Sequence, residues 1–246
     1  MKIVIYGYGL MGQKVAQAVK NDPDLELVGV VSPFFDVEPD VPAYSSLSDV
    51  NEEVEGIIDF SNPANLDDIL TYGQAHKCKL IIATTGFNED QLNQIKEAAK
   101  NIAIFQSYNT SFGVAMMNKM VGAFAKEFFD HNFDIEILEA HHNQKVDAPS
   151  GTAKLLYETM NDSIDVHPVY DRSSVRAKRE HSEIGIQSLR AGTIFGEHTV
   201  YFAGKDEIVE VKHTALSKEV FVQGAISAIK ALADKTEGLY TLKTLY

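Results

Sequence analysis

Residues 3–12 read I-V-I-Y-G-Y-G-L-M-G, and they predict the fold of the first part of the chain. Residues 3–5 form a short apolar run that stops just before Gly7, which is typical of a buried parallel strand. After the glycines, apolar residues recur at helical spacing at Met11, Val15, Ala18 and Val19. A glycine-rich turn between strand and helix lets the backbone approach a pyrophosphate at the helix N-terminus. The spacing G-x-G-x-x-G therefore indicates a dinucleotide site, although the same glycines could serve only a tight turn and close helix packing.

The alternation of strand and helix continues through residue 110. Further strands are predicted at 25–31, 56–60, 80–83 and 102–105, with Asn62 and Asn88 as N-caps of two of the intervening helices. This order predicts a Rossmann-type, doubly wound parallel sheet, in which ligands bind beyond the carboxyl ends of the strands. Those ends carry Thr84, Thr85 and Asn109, which fit ligand contact or turn and capping chemistry equally well.

The pattern changes after residue 110. A helix is predicted over 113–129, with Val114, Met117, Val121 and Phe124 along its apolar side. Alternating polar and apolar residues at 134–139, 184–190, 199–202 and 208–213 then predict a mixed or antiparallel sheet with a face free to pair with other subunits. Residues 171–182 form a basic polar loop, either simply solvated or a mobile cover over an anion. A last helix over 220–233 is expected to return to the first domain.

The predicted fold class is thus α/β, with a C-terminal α+β domain. We expect a dinucleotide-binding domain over 1–110, completed by 217–246, and a domain for substrate binding and oligomerisation over 111–216.

The composition of the chain disfavours several classes of protein. The 246 residues carry a formal net charge of −13, from 35 acidic and 22 basic side chains, which disfavours a nucleic-acid-binding protein. Cys78 is the single cysteine, so no intrachain disulfide can form. The chain shows neither the apolar stretch of a signal peptide nor a run long enough to span a membrane. We therefore expect a cytoplasmic protein that binds neither nucleic acid nor membrane.

Groups able to move protons or hold an anion are most concentrated at 139–152, E-A-H-H-N-Q-K-V-D-A-P-S-G-T. His141 follows a predicted strand and can donate or accept a proton, while Lys145 can donate a proton or hold a carboxylate. The amides at Ser150, Gly151 and Thr152 open a helix and form an anion cradle. Adjacent histidines without H-E-x-x-H or cysteine spacing are a poor metal signature, so we predict no metal.

Two further interpretations of this stretch are weaker. Ser150 lacks the G-x-S-x-G surroundings of a nucleophile. Asp147 fits a structural role, because it could pair with Lys145 or stabilise the turn.

The stretch 139–152 resembles the signature of the dihydrodipicolinate reductase family nearly residue for residue. Further similarity lies in G-Y-G-L-M-G at 7–12, A-T-T-G-F at 83–87, the turn at 108–110 and R-A-G-T-I-F-G-E-H at 190–198. The resemblance implies reduction of 4-hydroxy-tetrahydrodipicolinate, a cyclic imine dicarboxylate, to tetrahydrodipicolinate in the diaminopimelate route to lysine. It also implies NADPH or NADH as cofactor, and a homotetramer joined through the second domain's sheet.

The resemblance assigns roles by position. His141 is the implied proton donor or acceptor and Lys145 the implied proton donor, while His142 and the amides of Gly151 and Thr152 hold substrate carboxylates. The implied cofactor contacts lie in three segments, comprising Gly7, Tyr8, Gly9, Leu10, Met11 and Gly12; Ala83, Thr84 and Thr85; and Ser107, Tyr108, Asn109 and Thr110.

The chain departs from the family pattern at two points. Its glycine loop is one residue shorter than the G-x-x-G-x-M-G type common in the family. The second strand is followed by Ser32-Pro33-Phe34 instead of an acidic residue, and Asp36 falls several residues late. The choice between NADH and NADPH is therefore open. Two other functions remain, namely a different NAD(P)-dependent dehydrogenase acting on a small amino or oxo acid, and a non-catalytic NAD(P)H sensor.

Overall fold

The computed structural model describes all residues from 1 to 246, and the chain forms two compact units. One unit comprises Met1–Phe112 with Glu219–Tyr246, and the other comprises Gly113–Lys218. The strands are β1 (Lys2–Tyr6), β2 (Glu26–Val31), β3 (Ala43–Tyr44), β4 (Gly56–Asp59), β5 (Lys79–Ile82), β6 (Ala103–Gln106), β7 (Asp134–His141), β8 (His167–Val169), β9 (Glu183–Arg190), β10 (Gly196–Gly204), β11 (Glu207–Ala215) and β12 (Gly238–Tyr240). The α-helices are α1 (Leu10–Asn21), α2 (Leu66–His76), α3 (Glu89–Ala98), α4 (Phe112–Asp130), α5 (Gly151–Asn161) and α6 (Glu219–Ala231).

The first unit is built on a seven-stranded sheet in the order β12-β6-β5-β4-β1-β2-β3. All of its strand pairs are parallel, which confirms the predicted doubly wound sheet. The central strands are buried on both faces, as their continuous apolar sequence requires, with Ile57 and Ile58 of β4 both inaccessible to solvent. The short edge strands β3 and β12 were not predicted.

Both predicted N-caps form. Asn62 accepts a hydrogen bond from the Ala64 amide and opens a 3-10 turn that leads into α2. At α3, Asn88 accepts from the Gln91 amide while the Gln91 side chain accepts from the Asn88 amide, a complete capping box. These caps fix the points at which the two helices leave the carboxyl edge of the sheet.

The second unit is built on a mixed sheet in the order β11-β10-β7-β9-β8, as the alternating segments predicted. β7 is antiparallel to β10 and parallel to β9. Helices α4 and α5 cover one face, and their buried side chains join the strands in one core cluster, which includes Met117, Val121, Leu156, Met160, Ile135, Ile137 and Phe202. The opposite face carries the exposed side chains of Leu138, Leu189 and Ile208.

One core assignment was wrong. Phe124 was expected on the buried side of its helix, but it is 55% exposed and Ala125 is buried instead. The buried stripe of α4 passes from Val114 through Asn118 and Val121 to Ala125, so that Phe124 lies at its edge.

The basic loop at 171–182 has no helix or strand. Two of its arginines bind the strands of the sheet, since Arg179 donates to Asp134 and Glu136 and Arg172 pairs with Glu183. Arg176 and Lys178 are exposed.

None of the six helices has both the length and the apolar content that crossing a bilayer demands.

Candidate active site

The helix-covered face of the mixed sheet changes from apolar to polar along its strands. Side chains on alternate residues share a face, so residues 137, 139 and 141 of β7 point the same way. Neighbouring strands supply an apolar row at the first of these levels, Ile186, Ile137, Val200 and Val211. The next level is a polar row, Ser188, Glu139, His198 and His213. The site therefore begins where the hydrophobic core of this unit ends.

Glu139 is the most buried charged group in this region, with no exposed surface. Its carboxylate accepts hydrogen bonds from His141 Nδ1 at 2.6 Å, from both terminal nitrogens of Arg190 at 2.8 Å, and from the Ser150 amide at 3.1 Å. Burial alone would raise the pKa of Glu139, but hydrogen bonds from His141, Arg190 and Ser188 outweigh it and hold the pKa below its ordinary range. Glu139 is therefore ionised.

His141 is oriented by this carboxylate. An ionised carboxylate only accepts hydrogen bonds, so Nδ1 of the ring carries a proton and Nε2 is the position that can gain or lose one. Nε2 lies beside the backbone of Gly196, where an added Cβ would come within 3.1 Å of it. Glycine at 196 thus leaves room beside Nε2.

His198 lies behind His141 as a neutral, structural histidine. Its Nε2 is 2.8 Å from Ser150 Oγ, and its ring centre is 5.2 Å from that of His141. Burial, followed by the proximity of His141, lowers the pKa of His198 to about 3. His198 therefore stays uncharged at neutral pH, and its Nδ1 is buried without a hydrogen-bond partner.

Lys145 lies in the loop between β7 and α5. Its Nζ is 2.8 Å from Asp147, and this contact lowers the pKa of the Asp147 carboxyl, which agrees with the pairing suggested from the sequence. The Asp147 carbonyl in turn accepts from Arg190 at 2.6 Å. The side chain of Lys145 is only 23% exposed, so the loop holds the ammonium close to the protein surface. His142, the first residue after β7, is partly buried.

Helix α5 begins where predicted. Ser150 is its N-cap and accepts from the Ala153 amide, while the Ser150 amide itself is bound to Glu139. The first-turn amides of Gly151 and Thr152 point out of the helix end, where the helix dipole favours an anion. A Cβ added at Gly151 would meet no atom within 4 Å, so the space in front of this turn is open.

The glycine turn of the first unit fits a dinucleotide. Gly7 has φ +91° and lies so close to Phe60 that a Cβ would be 2.6 Å from its carbonyl oxygen, and a Cβ on Gly12 would be 1.9 Å from the Gly7 oxygen. Gly9, by contrast, faces open space and caps α1 without any side-chain hydrogen bond. Two glycines therefore serve backbone packing, and the third leaves the helix N-terminus accessible to a phosphate.

The other predicted cofactor contacts follow the neighbouring strands β5 and β6. Several of their polar side chains bind within the protein: Thr84 accepts from the Ser61 amide, Ser107 donates to the Asn109 carbonyl, and Thr110 donates to the Phe221 carbonyl. Thr85 and Tyr108 are exposed instead. Both segments lie at the same sheet edge as the glycine turn, because β1, β4, β5 and β6 run parallel.

Asp59, at the end of β4, holds the backbone that follows this strand. Its buried carboxyl accepts from the amide and hydroxyl of Ser61, at 2.9 and 2.6 Å. Burial raises the pKa of Asp59 to about 6, and these hydrogen bonds oppose that effect. The backbone that Asp59 holds at Phe60 and Ser61 is the surface against which Gly7 packs.

Two family descriptions match consecutive parts of the chain: "Dihydrodipicolinate reductase, N-terminus" over residues 1–110, and "Dihydrodipicolinate reductase, C-terminus" over residues 113–245. The chain belongs to the dihydrodipicolinate reductase family. The resemblance drawn from the sequence is thereby confirmed, and the chain is an oxidoreductase that uses a nicotinamide cofactor.

Individual members of the dihydrodipicolinate reductase family are similar over their whole length. A 4-hydroxy-tetrahydrodipicolinate reductase of Exiguobacterium sibiricum is 53% identical across 100% of this chain and 96% of its own. The enzyme of the same name from Staphylococcus aureus strain MRSA252 is 43% identical across 100% of both. The dipicolinate-bound dihydrodipicolinate reductase from Paenisporosarcina sp. TG-14 has the same fold, with a TM-score of 0.83 at 24% identity over 100% of this chain and 99% of that one.

Sequence reasoning gave no role to four residues that organise these sites. Glu139, Arg190 and His198 lie inside two of the stretches that carried the family resemblance, 139–152 and 190–198, so the signal was present without an assignment. Asp59 gave no signal, because an acidic residue that ends a strand is ordinary turn chemistry until its burial is known.

Proposed function

We propose that the chain reduces 4-hydroxy-tetrahydrodipicolinate to tetrahydrodipicolinate, with loss of water, in the diaminopimelate route to lysine. The observation that carries this proposal is identity of 53% along the full length of a reductase of that name. The geometry supports it, because one unit contains a histidine with an available Nε2, a lysine and an open helix N-terminus. These are the groups that reduction of an imine dicarboxylate requires, since one proton is consumed for each hydride and two carboxylates must be held.

The proposed proton-transfer groups are His141 and Lys145. His141 is suited to donate or accept at Nε2, because Glu139 fixes the proton on Nδ1. Lys145 is suited to donate, because its amino group is a hydrogen-bond donor on a loop held by Arg190. Asp147 neutralises the lysine in the absence of substrate, and a substrate carboxylate would replace it as the partner.

The proposed substrate-binding groups are His142 and the amides of Gly151 and Thr152. A carboxylate at the start of α5 would accept hydrogen bonds from the first-turn amides and gain from the helix dipole. The open space in front of Gly151 supports this role. His142 adjoins the reactive histidine and would take the second carboxylate.

The chemistry that the nicotinamide cofactor supplies when bound is hydride donation. The residues proposed to hold the cofactor are Gly7, Tyr8, Gly9, Leu10, Met11 and Gly12 in the turn, Ala83, Thr84 and Thr85 after β5, and Ser107, Tyr108, Asn109 and Thr110 after β6. Of these, Gly9 offers backbone, and Thr85 and Tyr108 offer exposed side chains, whereas Thr84 and Thr110 act by holding the loops in shape.

Both NADPH and NADH are proposed as reductants. Directly after β2, Ser32-Pro33-Phe34 offers neither a carboxylate for ribose hydroxyls nor a cation for a 2′-phosphate, and Asp36 falls several residues late. The hydroxyl of Ser32 donates to the Phe34 carbonyl at 2.5 Å, and Lys20 of α1 is paired with Asp40 of the 33–42 loop. We therefore expect less than about tenfold preference, which corresponds to 1.4 kcal/mol.

We also propose a cytoplasmic homotetramer joined through the outer face of the mixed sheet. That face exposes Leu138, Leu189 and Ile208, and apolar side chains on an open sheet face favour burial against another copy. Light scattering after size exclusion should give four times the 27.2 kDa chain mass. An Ile208→Asp substitution should lower that mass, and an unchanged tetramer would mean that another surface joins the subunits.

The direct test of the activity follows oxidation of NADPH and NADH in parallel, with freshly generated dihydrodipicolinate synthase product. His141→Gln and Lys145→Ala should each lower kcat by about 10²- to 10⁴-fold. His167→Gln and Lys154→Ala, at exposed positions of the same unit, are the matched controls and should keep wild-type turnover. Oxidation with other small amino or oxo acids but not with the synthase product would indicate a different dehydrogenase. Binding of NADPH without any turnover would indicate a sensor.

A further inference from the structure

We infer that Glu139 and Arg190 form a positioning pair that aligns, through one buried contact, the proton-transfer histidine, the lysine loop and the carboxylate-binding helix. This inference rests on the proposed function, since it concerns how those three groups are held in working order. Neither residue need touch the substrate. Glu139 has no exposed surface, and the Arg190 side chain is 19% exposed.

The carboxylate of Glu139 joins three separate elements. It binds His141 two residues along β7, the amide of Ser150 at the start of α5, and Arg190 at the end of β9. One oxygen accepts from His141 and Arg190, and the other accepts from Ser150 and Arg190. Ser188 of β9 donates a further hydrogen bond to this carboxylate. A movement of this group would therefore disturb the histidine ring and the helix N-terminus together.

Arg190 extends the same contact to the loop that carries Lys145. Besides its two bonds to Glu139, its guanidinium donates to the Asp147 carbonyl at 2.6 Å and to the Leu189 carbonyl at 2.7 Å. The two parallel bonds fix the plane of the guanidinium, which a lysine could not reproduce. Arg190 also balances the charge of the buried Glu139 carboxylate. Without Arg190, burying that charge without its cationic partner would lower the stability of the protein substantially.

The carboxylate is required for its direction of hydrogen bonding as well as for its charge. It can only accept, and this keeps the proton of His141 on Nδ1 and leaves Nε2 for proton transfer. A glutamine at 139 could still accept through its oxygen from Ser150 and from one terminal nitrogen of Arg190, and it would lose the bond from the other nitrogen. Its amide group would then donate toward Nδ1 and reverse the histidine tautomer, with little change in shape.

The test compares Glu139→Gln, Arg190→Met and the double variant in steady-state assays and urea unfolding. Arg190→Met should have the lowest urea midpoint, because it leaves Glu139 buried and unpaired, and adding Glu139→Gln should restore much of that loss. Across these variants, kcat should not change in parallel with the urea midpoint. In Glu139→Gln and in the double variant, kcat should stay at least tenfold below wild type, with KM for the substrate changed less than threefold.

A matched control lies at the other end of the same strand. Glu183 is buried and paired with Arg172, so Glu183→Gln and Arg172→Met repeat the chemical change away from His141. These variants should alter the urea midpoint and leave kcat at the wild-type value.

Recovery of kcat together with stability in the double variant would overturn the inference and leave the pair a purely structural role. Wild-type kcat in Glu139→Gln alone would do the same. If wild type and the control variants failed to oxidise NADPH with the synthase product, the proposed function itself would be wrong. The two failures are therefore distinguishable.

Discussion

Replacing His198 by glutamine should make the stability of the protein less sensitive to acid. His198 is 3% exposed, and burial, followed by the nearby His141, lowers its pKa from 6.5 to about 3. A base whose pKa falls on folding binds a proton more readily in the unfolded chain. Its contribution is therefore present above pH 6.5 and is lost progressively as the pH falls toward the folded-state value.

The size of the effect follows from these two values. In the window between the two pKa values, the unfolded chain holds one more proton than the folded chain at this position. The free energy of unfolding then decreases by about 1.4 kcal/mol for each pH unit. Between pH 7 and pH 5 the wild type should lose about 2 kcal/mol through His198 alone. Glutamine cannot titrate, and its amide can still bond to Ser150 Oγ, so His198→Gln should lack this loss.

The assay is urea unfolding at pH 7, 6 and 5, with protein concentration held fixed because oligomers gain stability by mass action. The unfolding free energy of the wild type minus that of the variant should decrease by about 2 kcal/mol from pH 7 to pH 5. The other ionisable groups around His198, which are His141, Glu139, His213 and Lys145, are common to both proteins. The opposite pH dependence expected from Asp59, whose pKa is raised by burial, also cancels in the difference.

Parallel stability curves for wild type and His198→Gln would refute the reasoning, because they would mean that His198 takes up its proton in the folded state as readily as in the unfolded one. The control is His167→Gln, which replaces an exposed histidine and should leave the pH dependence unchanged.

The remaining predictions concern the first unit. Gly12→Ala should destabilise this unit by about 3 kcal/mol, because the new methyl group would lie 1.9 Å from the Gly7 oxygen. An unchanged midpoint in a thermal melt would contradict the close packing of Gly12 against Gly7. Gly9→Ala should leave the melt unchanged within about 0.5 kcal/mol and weaken cofactor binding in a fluorescence titration, because that methyl group meets only open space where a phosphate would bind. Asn88→Ala removes the bond that the Asn88 side chain accepts from the Gln91 amide, the side-chain half of the capping box. It should lower the urea-derived stability by about 1 kcal/mol, whereas no change would mean that water replaces the cap.

Most of the fold follows from local sequence. The strand that ends just before Gly7 and the helix capped by Asn88 were predictable because apolar periodicity and capping act over a few residues. The edge strands β3 and β12 were not, since each has only two or three residues and exists through pairing with a neighbour. Phe124 was misassigned because spacing alone does not say where a buried stripe ends.

The candidate site divides in the same way. His141, Lys145 and the start of α5 are close in sequence, so their chemistry could be predicted together. The contacts that orient them are not local. Arg190 reaches Glu139 across 51 residues, and His198 reaches Ser150 across 48. Strand register sets Arg190 beside His141 and His198 beside Glu139, and the bond from the Ser150 amide to Glu139 holds the start of α5 there. The family resemblance included these residues, but only the arrangement of the sheet shows which groups they bind.

The interrupted first unit has a consequence for biosynthesis. A ribosome delivers Gly113–Lys218 as one uninterrupted stretch, so every strand of the mixed sheet is available before residues 219–246 exist. The parallel sheet has to wait longer, because β12 pairs with β6 and α6 supplies buried residues such as Val222 and Ile229. The first strand of this sheet is synthesised early, but the sheet is completed last. A nascent chain stalled before residue 219 would therefore carry the glycine turn on an incomplete sheet, with an unpaired edge at β6.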